Sequence, residues 1–246
     1  MNQDHWLSSC LLSASRDVSE EALCYVSARG LPSALAFEMQ IGLWDHRRYQ
    51  NSPDKTFSDI YGPTGFNVHN FVSIPIWAPS GRLVGVEWRR WDGEKSSLKY
   101  FLPNSKWEPA FIGMTPSVLN KIQKGGDVWL VEGVFDLAIC HALPKGDVAL
   151  ACGGAKATDL QLSLLSRFVR REAQVHVCFD MDETGRNMAN GYVHPDTGKK
   201  VWGVSERLTL AGVRNRVVSY RGGKDPGEIW ENGGKSLLIS RFGFRV

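Results

Sequence analysis

Apolar runs along this sequence are cut by polar, glycine- and proline-bearing turns, and the kind of run changes near residue 124. VSEEALCYVSARG (18–30) predicts a helix, with Ser19 as N-cap, Glu20 and Glu21 in the first turn and Gly30 at its close. PSALAFEMQIGL (32–43) predicts a second helix, opened by Pro32 and stopped by Gly42. Residues 45–70 are polar and rich in Gly, Pro and Asp, which reads as loop. FVSIPIWAPSGRLVGVEWRRW (71–91) then reads as a hairpin, two β-rich runs joined by Pro-Ser-Gly.

Beyond Lys124-Gly125-Gly126-Asp127, short apolar runs alternate with helical patterns. VWLVEG (128–133), DVALACGG (147–154), AQVHVCFDMD (173–182) and VRNRVVSY (213–220) read as strands. Between them VFDLAICHAL (134–143), TDLQLSLLSRFVRR (158–171) and VWGVSERLTLAG (201–212) read as helices. Such alternation implies βαβ units and a parallel sheet covered on both faces. The expectation is an α/β domain over 127–232, a parallel sheet flanked by helices, preceded by a smaller α+β subdomain over 18–126. Residues 1–17 form an N-terminal extension. The tail (233–246), with KSLLISRFGFRV, reads as a terminal helix or a partner-docking segment.

Ligands of open parallel sheets gather beyond the carboxyl ends of the strands. Three of these strands end in acids: Glu132, then Asp180 with Asp182, then Asp225 after VVSYRGGK. Asp136 lies one helical turn past Glu132, on the same face. Each acid alone equally suits a helix cap or a plain turn. Together they would repel unless protonated or neutralised by a cation. Mg²⁺ is the natural candidate, because it takes hard oxygen ligands and keeps substrate phosphates as others. Gly133 and Gly185 would allow a phosphate or metal to approach the backbone.

Composition narrows the class without choosing the chemistry. The chain has 246 residues, 43% hydrophobic and 22% charged, enough for one large core or two smaller ones. No run reaches the roughly 18 apolar residues of a membrane span, and the N-terminus lacks a signal-peptide pattern, so a cytoplasmic location is expected. Five scattered cysteines without a CxxC pair argue against a disulfide framework or a zinc site. The net charge of +3 decides little. Its distribution says more: WRRWDGEKSSLKYF (88–101) interleaves bases with aromatics, which suits nucleic acid or an ordinary edge strand.

The strings VEGVFD (131–136), CGGAKAT (152–158), FDMDETGRNMA (179–189) and GKDPGEIW (223–230) resemble the TOPRIM domain, in the version found in bacterial DnaG-type primases and phage primase–helicases. ALCYVSARGLP (22–32), IPIWAPSGRLVGVEWR (74–89) and LKYFLPN (98–104) resemble the preceding subdomain of the DnaG RNA-polymerase core. The resemblance implies a DNA primase that makes short RNA primers on a single-stranded DNA template from nucleoside triphosphates. It implies that Glu132, Asp136, Asp180, Asp182 and Asp225 hold Mg²⁺ or Mn²⁺, with Glu132, Asp180 and Asp182 catalytic and Glu132 a candidate general base. It also implies that Arg89, Lys99 and Tyr100 contact template or nucleotide. Lys156 would meet phosphates, and Arg186 would either pair within the acids or touch substrate.

Departures from the family pattern are specific. His69 and Phe71 stand where basic residues precede the hairpin, and Gly227 replaces an acid two residues after Asp225, for which Glu228 is a possible substitute. GYVHPDTGKK (191–200) is an insertion, a nucleic-acid contact or a bare surface hairpin. The resemblance would also place a zinc-binding module before residue 18 and a helicase after 232. Either this is a catalytic fragment, or those partners sit on other chains. The alternatives to a primase are a TOPRIM metal-dependent nuclease and a non-catalytic module that binds DNA or a replication partner.

Overall fold

The computed structural model describes residues 20–43, 71–90, 100–101, 110–154 and 156–244. The N-terminal extension, the expected loop and Lys99 lie outside them. The first described part holds helices α1 (Glu20–Ala28) and α2 (Ser33–Glu38) and a four-stranded antiparallel sheet. Its strands are β1 (Gly42–Leu43), β2 (Phe71–Trp77), β3 (Leu83–Arg90) and β4 (Tyr100–Phe101), in that order. The predicted hairpin is β2–β3. The predicted helix over 32–43 stops early: Gln40 takes a left-handed φ of 61°, and Gly42–Leu43 turns into a strand against Ser73 and Val72.

The second part alternates as expected. Helix α3 (Pro116–Gln123) leads into strand β5 (Val128–Val131). A 3-10 helix (Val134–His141), strand β6 (Val148–Ala151), helix α4 (Asp159–Phe168), strand β7 (Val175–Val177) and helix α5 (Glu183–Asn190) follow. Then come a small hairpin of β8 (Gly191–Val193) and β9 (Lys200–Trp202), helix α6 (Val204–Leu210), strand β10 (Asn215–Val217) and helix α7 (Pro226–Phe242). Strands β10, β7, β5 and β6 form one sheet in that order, every neighbour parallel. The chain is an α/β protein, a parallel sheet flanked by helices.

The apolar runs read as strands because both faces of this sheet are covered. Trp129 and Val131 point into a core shared with α1, β2 and α7, while Val128 and Leu130 point into one shared with α3, α4 and α6. The hairpin region and the parallel sheet therefore bury one continuous hydrophobic face. Leu130 is fully buried, and its truncation to alanine would cost about 2–5 kcal/mol. Local signals set the helix starts. Thr158 caps α4, accepting from the Gln161 amide at 3.1 Å while the Gln161 side chain accepts from the Thr158 amide at 2.9 Å. Helix α7 runs from Pro226 through the predicted tail helix, with a kink at Gly234 (φ 59°). Among the described residues, no helix is long and apolar enough to cross a membrane.

Candidate metal centre

Glu132, Asp180, Asp182 and Asp225 reach the site from segments that follow strands. Glu132 follows β5, and its Oε1 accepts the backbone N–H of Asp180 at 3.0 Å, which ties the loop after β5 to the loop after β7. That approach needs Gly185. A Cβ there would lie 2.2 Å from the Asp180 carbonyl oxygen and 2.7 Å from Glu132 Oε1. Asp136 sits at the third position of the 3-10 helix and is buried. It accepts from the Gly133 amide at 2.8 Å and the Gly227 amide at 3.4 Å, so it clasps the starts of two helices. Asp225 caps α7 through the Glu228 amide at 2.7 Å, and Asp182 caps α5 through the Gly185 amide at 2.9 Å.

Three carboxylates converge: one oxygen each from Asp136, Asp180 and Asp225 lie within 4.8 Å of one another. Glu132 adjoins them through Asp180. Asp182 is at the rim, linked by Lys224, whose Nζ lies 3.0 Å from Asp180 Oδ2 and 3.1 Å from Asp182 Oδ2. Tyr220 holds that lysine's loop in place, its hydroxyl bonding the carbonyls of Phe179 (3.1 Å) and Lys224 (3.0 Å).

The electrostatics record crowding. Burial and then the Asp180 charge push the Glu132 carboxyl up to about 7. Burial, then the Asp225 charge, raise Asp136 well above the carboxylate range. Asp180 is raised by burial, with Lys224 pulling the other way. Asp182 is held low, first by the Gly185 amide and next by Lys224. One lysine does not offset this many acids. A cluster of hard carboxylate oxygens with surplus negative charge fits a divalent cation, and this one could hold a metal ion.

The remaining candidates are spread around this centre. Arg89 is half-buried on β3, with its guanidinium carbon 5.4 Å from the centre of the Phe135 ring, next to Asp136. Tyr100 is placed by its backbone alone, paired with Arg89 across β3 and β4. Lys156 is exposed before α4, outside the cluster. Arg186 donates to the Met181 carbonyl, so the cation within the acids is Lys224 and not Arg186. Glu228 is exposed and accepts the Lys224 backbone N–H, which makes it a loop clasp outside the converging three. Gly227, where the resemblance leads one to expect an acid, is closely packed: a Cβ would sit 3.2 Å from Asp225 Oδ1 and 3.4 Å from the Phe135 carbonyl oxygen.

Two residues went unmarked in the sequence. Lys224 lay inside RGGKDP, and only the return of that loop beside Asp180 gives it a role. Glu87 is buried on β3 near Gly153, pushed up to about 7 by burial with Arg89 lowering it. Its signal was a lone acid within the apolar run LVGVEW.

Comparison with known proteins agrees with this architecture. Residues 129–230 match the Toprim-like family. A DNA primase of Aquifex aeolicus (strain VF5) is 31% identical over 171 residues, 68% of this chain and 31% of the relative. The chain thus spans about a third of the length of that curated relative. Among solved structures, the zinc-binding and RNA polymerase domains of Aquifex aeolicus primase superpose with a TM-score of 0.66, at 24% identity, over 96% of this chain and 60% of that one. A DnaG catalytic core gives 0.65 at 19% identity, over 98% and 79%. The primase fragment of the bacteriophage T7 primase-helicase protein gives 0.52 at 17%, over 87% and 72%.

Proposed function

Residues 129–230 belong to the Toprim-like family, the chain has the fold of DnaG primase catalytic cores, and on that premise we propose that it is the catalytic core of a DNA primase. It would synthesise short RNA primers on single-stranded DNA by nucleotidyl transfer. The observation that carries this reading is the meeting of Asp136, Asp180 and Asp225 beside Glu132 at the carboxyl end of the parallel sheet, with the Arg89 hairpin packed alongside. A nuclease reading would account for the acids and leave the hairpin region without a task.

Mg²⁺ or Mn²⁺ would be held by Asp136, Asp180 and Asp225, with Glu132 and Asp182 completing the site. When bound, it would supply Lewis-acid polarisation of the triphosphate and offset charge that builds on the transferring phosphoryl group. The protein's own groups do the rest. Glu132 accepts the Asp180 amide on Oε1, and Oε2 would accept a proton from an attacking 3′ hydroxyl. Arg89, Lys99, Tyr100, Lys156 and Arg186 would meet template or triphosphate. Lys224 bridges Asp180 and Asp182 and offsets part of their charge. A helicase and a separate zinc-binding module are the expected partners.

The test is template-dependent primer synthesis by the parent and by Asp180→Asn with Asp182→Asn. Synthesis by the parent that falls at least 100-fold in the variant supports the assignment. Undiminished synthesis sinks it. Cleavage of DNA with metal and no nucleoside triphosphates, without synthesis, would move the assignment to a nuclease.

A further inference from the structure

The insertion at 191–200 is a built part of the fold, and the second strand of its hairpin ends on an exposed aromatic, Trp202. Strands β8 and β9 pair from Gly191–Trp202 to Val193–Lys200. At the base of the hairpin two glycines meet. A Cβ on Gly191 (φ 85°) would lie 2.8 Å from the Gly203 nitrogen, and one on Gly203 would lie 2.2 Å from the Gly191 nitrogen. Glu206 fastens the same base, accepting from the Gly203 amide at 3.1 Å and pairing with Lys200 at 2.5 Å. An ordinary surface hairpin needs none of this.

The hairpin presents Trp202, which is 51% exposed, with the Lys200 ammonium 4.4 Å from the centre of its ring. Trp202 lines an open cavity of about 560 Å³ with Lys156, Thr158, Arg207 and the exposed Leu210. The acids at its rim are already matched: Asp159 to Arg207 at 2.5 Å, Glu206 to Lys200. Lys156, Ala157 and Thr158, which line the cavity, continue the loop that reaches Glu132. Gly153 and Gly154 donate to the Glu132 carbonyl at 3.0 Å, and four residues on the Ala157 carbonyl is held by Arg207 at 2.8 Å. The slot and the acidic centre thus share the loop that follows β6.

We propose that Trp202 and the cavity beside it form a stacking slot for a base of single-stranded DNA, with Lys156 on the adjoining phosphate. The proposal deepens the primase reading and rests on it. An exposed ring with an ammonium over one face stacks a base on the other without regard to sequence, as a template path requires. Binding of a fluorescein-labelled oligo-dT measured by anisotropy at fixed salt tests it, on the parent, Trp202→Ala and Trp202→Phe. The expected result is affinity weakened roughly five- to 150-fold in Trp202→Ala and kept within about two-fold in Trp202→Phe. Equal affinity in the parent and Trp202→Ala overturns the slot and leaves the primase reading standing. Weakening by both variants alike overturns stacking as its cause. A parent that binds no oligo-dT overturns the slot and the primase reading together.

Discussion

The two ends of the parallel sheet handle charge in opposite ways. At the amino end Asp127, His176 and Arg216 form a hydrogen-bonded chain, and Asp147 accepts from the Asp127 amide and the Trp129 indole. His176 Nε2 lies 2.8 Å from Asp127 Oδ2, Arg216 Nε donates to His176 Nδ1 at 2.8 Å, and the Gln174 amide donates to Asp127 Oδ1 at 2.8 Å. The Trp129 indole donates to Asp147 at 3.4 Å while its ring stacks on His176. At the carboxyl end Asp136, Asp180 and Asp225 face one another, with Lys224 the one lysine paired to them among the described residues. Matched charges hold a fold together. Like charges crowded into partial burial destabilise the protein that carries them, and they persist where a ligand offsets the cost.

Breaking one member at each end separates the roles most widely. Asp180→Asn is expected to lower primer synthesis by at least two orders of magnitude, about 2.7 kcal/mol at the transition state, without lowering the stability of the metal-free protein. Asp127→Ala is expected to do the reverse, costing about 1–3 kcal/mol of stability while synthesis at low temperature survives. Urea melts beside the primer assay check both.

The second effect is ligand linkage. Mg²⁺ at 100 times its Kd should stabilise the parent by about 2.7 kcal/mol, visible as a rise in Tm. The rise should vanish in Asp180→Asn and remain in Asp127→Ala.

The third and smallest is a pair of opposing pH slopes in metal-free protein. Glu132 has its folded value raised from 4.5 to about 7, so its contribution is full below 4.5 and lost as pH climbs through 7. That loss should be about 1 kcal/mol, since the side chain is part-exposed, and Glu132→Gln should lessen the slope that Asp136 and Asp180 share. His176 is lowered from 6.5 by burial, so its contribution is full above 6.5 and lost as pH falls below it. His176→Gln should flatten that limb alone. Chemical melts from pH 5 to pH 8 resolve both.

The sequence made the carboxyl end legible and the amino end silent. Strands buried on both faces show as plain apolar runs, so the acids closing them at 132, 180 and 225 stood out. Asp127 and His176 matter only through partners 49 residues apart, a distance no local pattern spans. Helix α5 was missed because ETGRNMAN is almost wholly polar; its Asp182 cap and the packing of Gly185 and Ala189 make it a helix. Residues 134–143, read as an α-helix, wind into the tighter 3-10 form over Val134–His141, with Asp136 drawn back to the Gly133 amide. Lys224 escaped notice because its reach depends on a loop held by Tyr220.

The central claim is that the crowded acids are a divalent-cation site. Calorimetric titration of Mg²⁺ into the parent, Asp180→Asn and Asp127→Ala tests it most directly. Saturable binding by the parent and Asp127→Ala, abolished in Asp180→Asn, is the predicted result. No binding by the parent at millimolar Mg²⁺, or equal binding by Asp180→Asn, would contradict it.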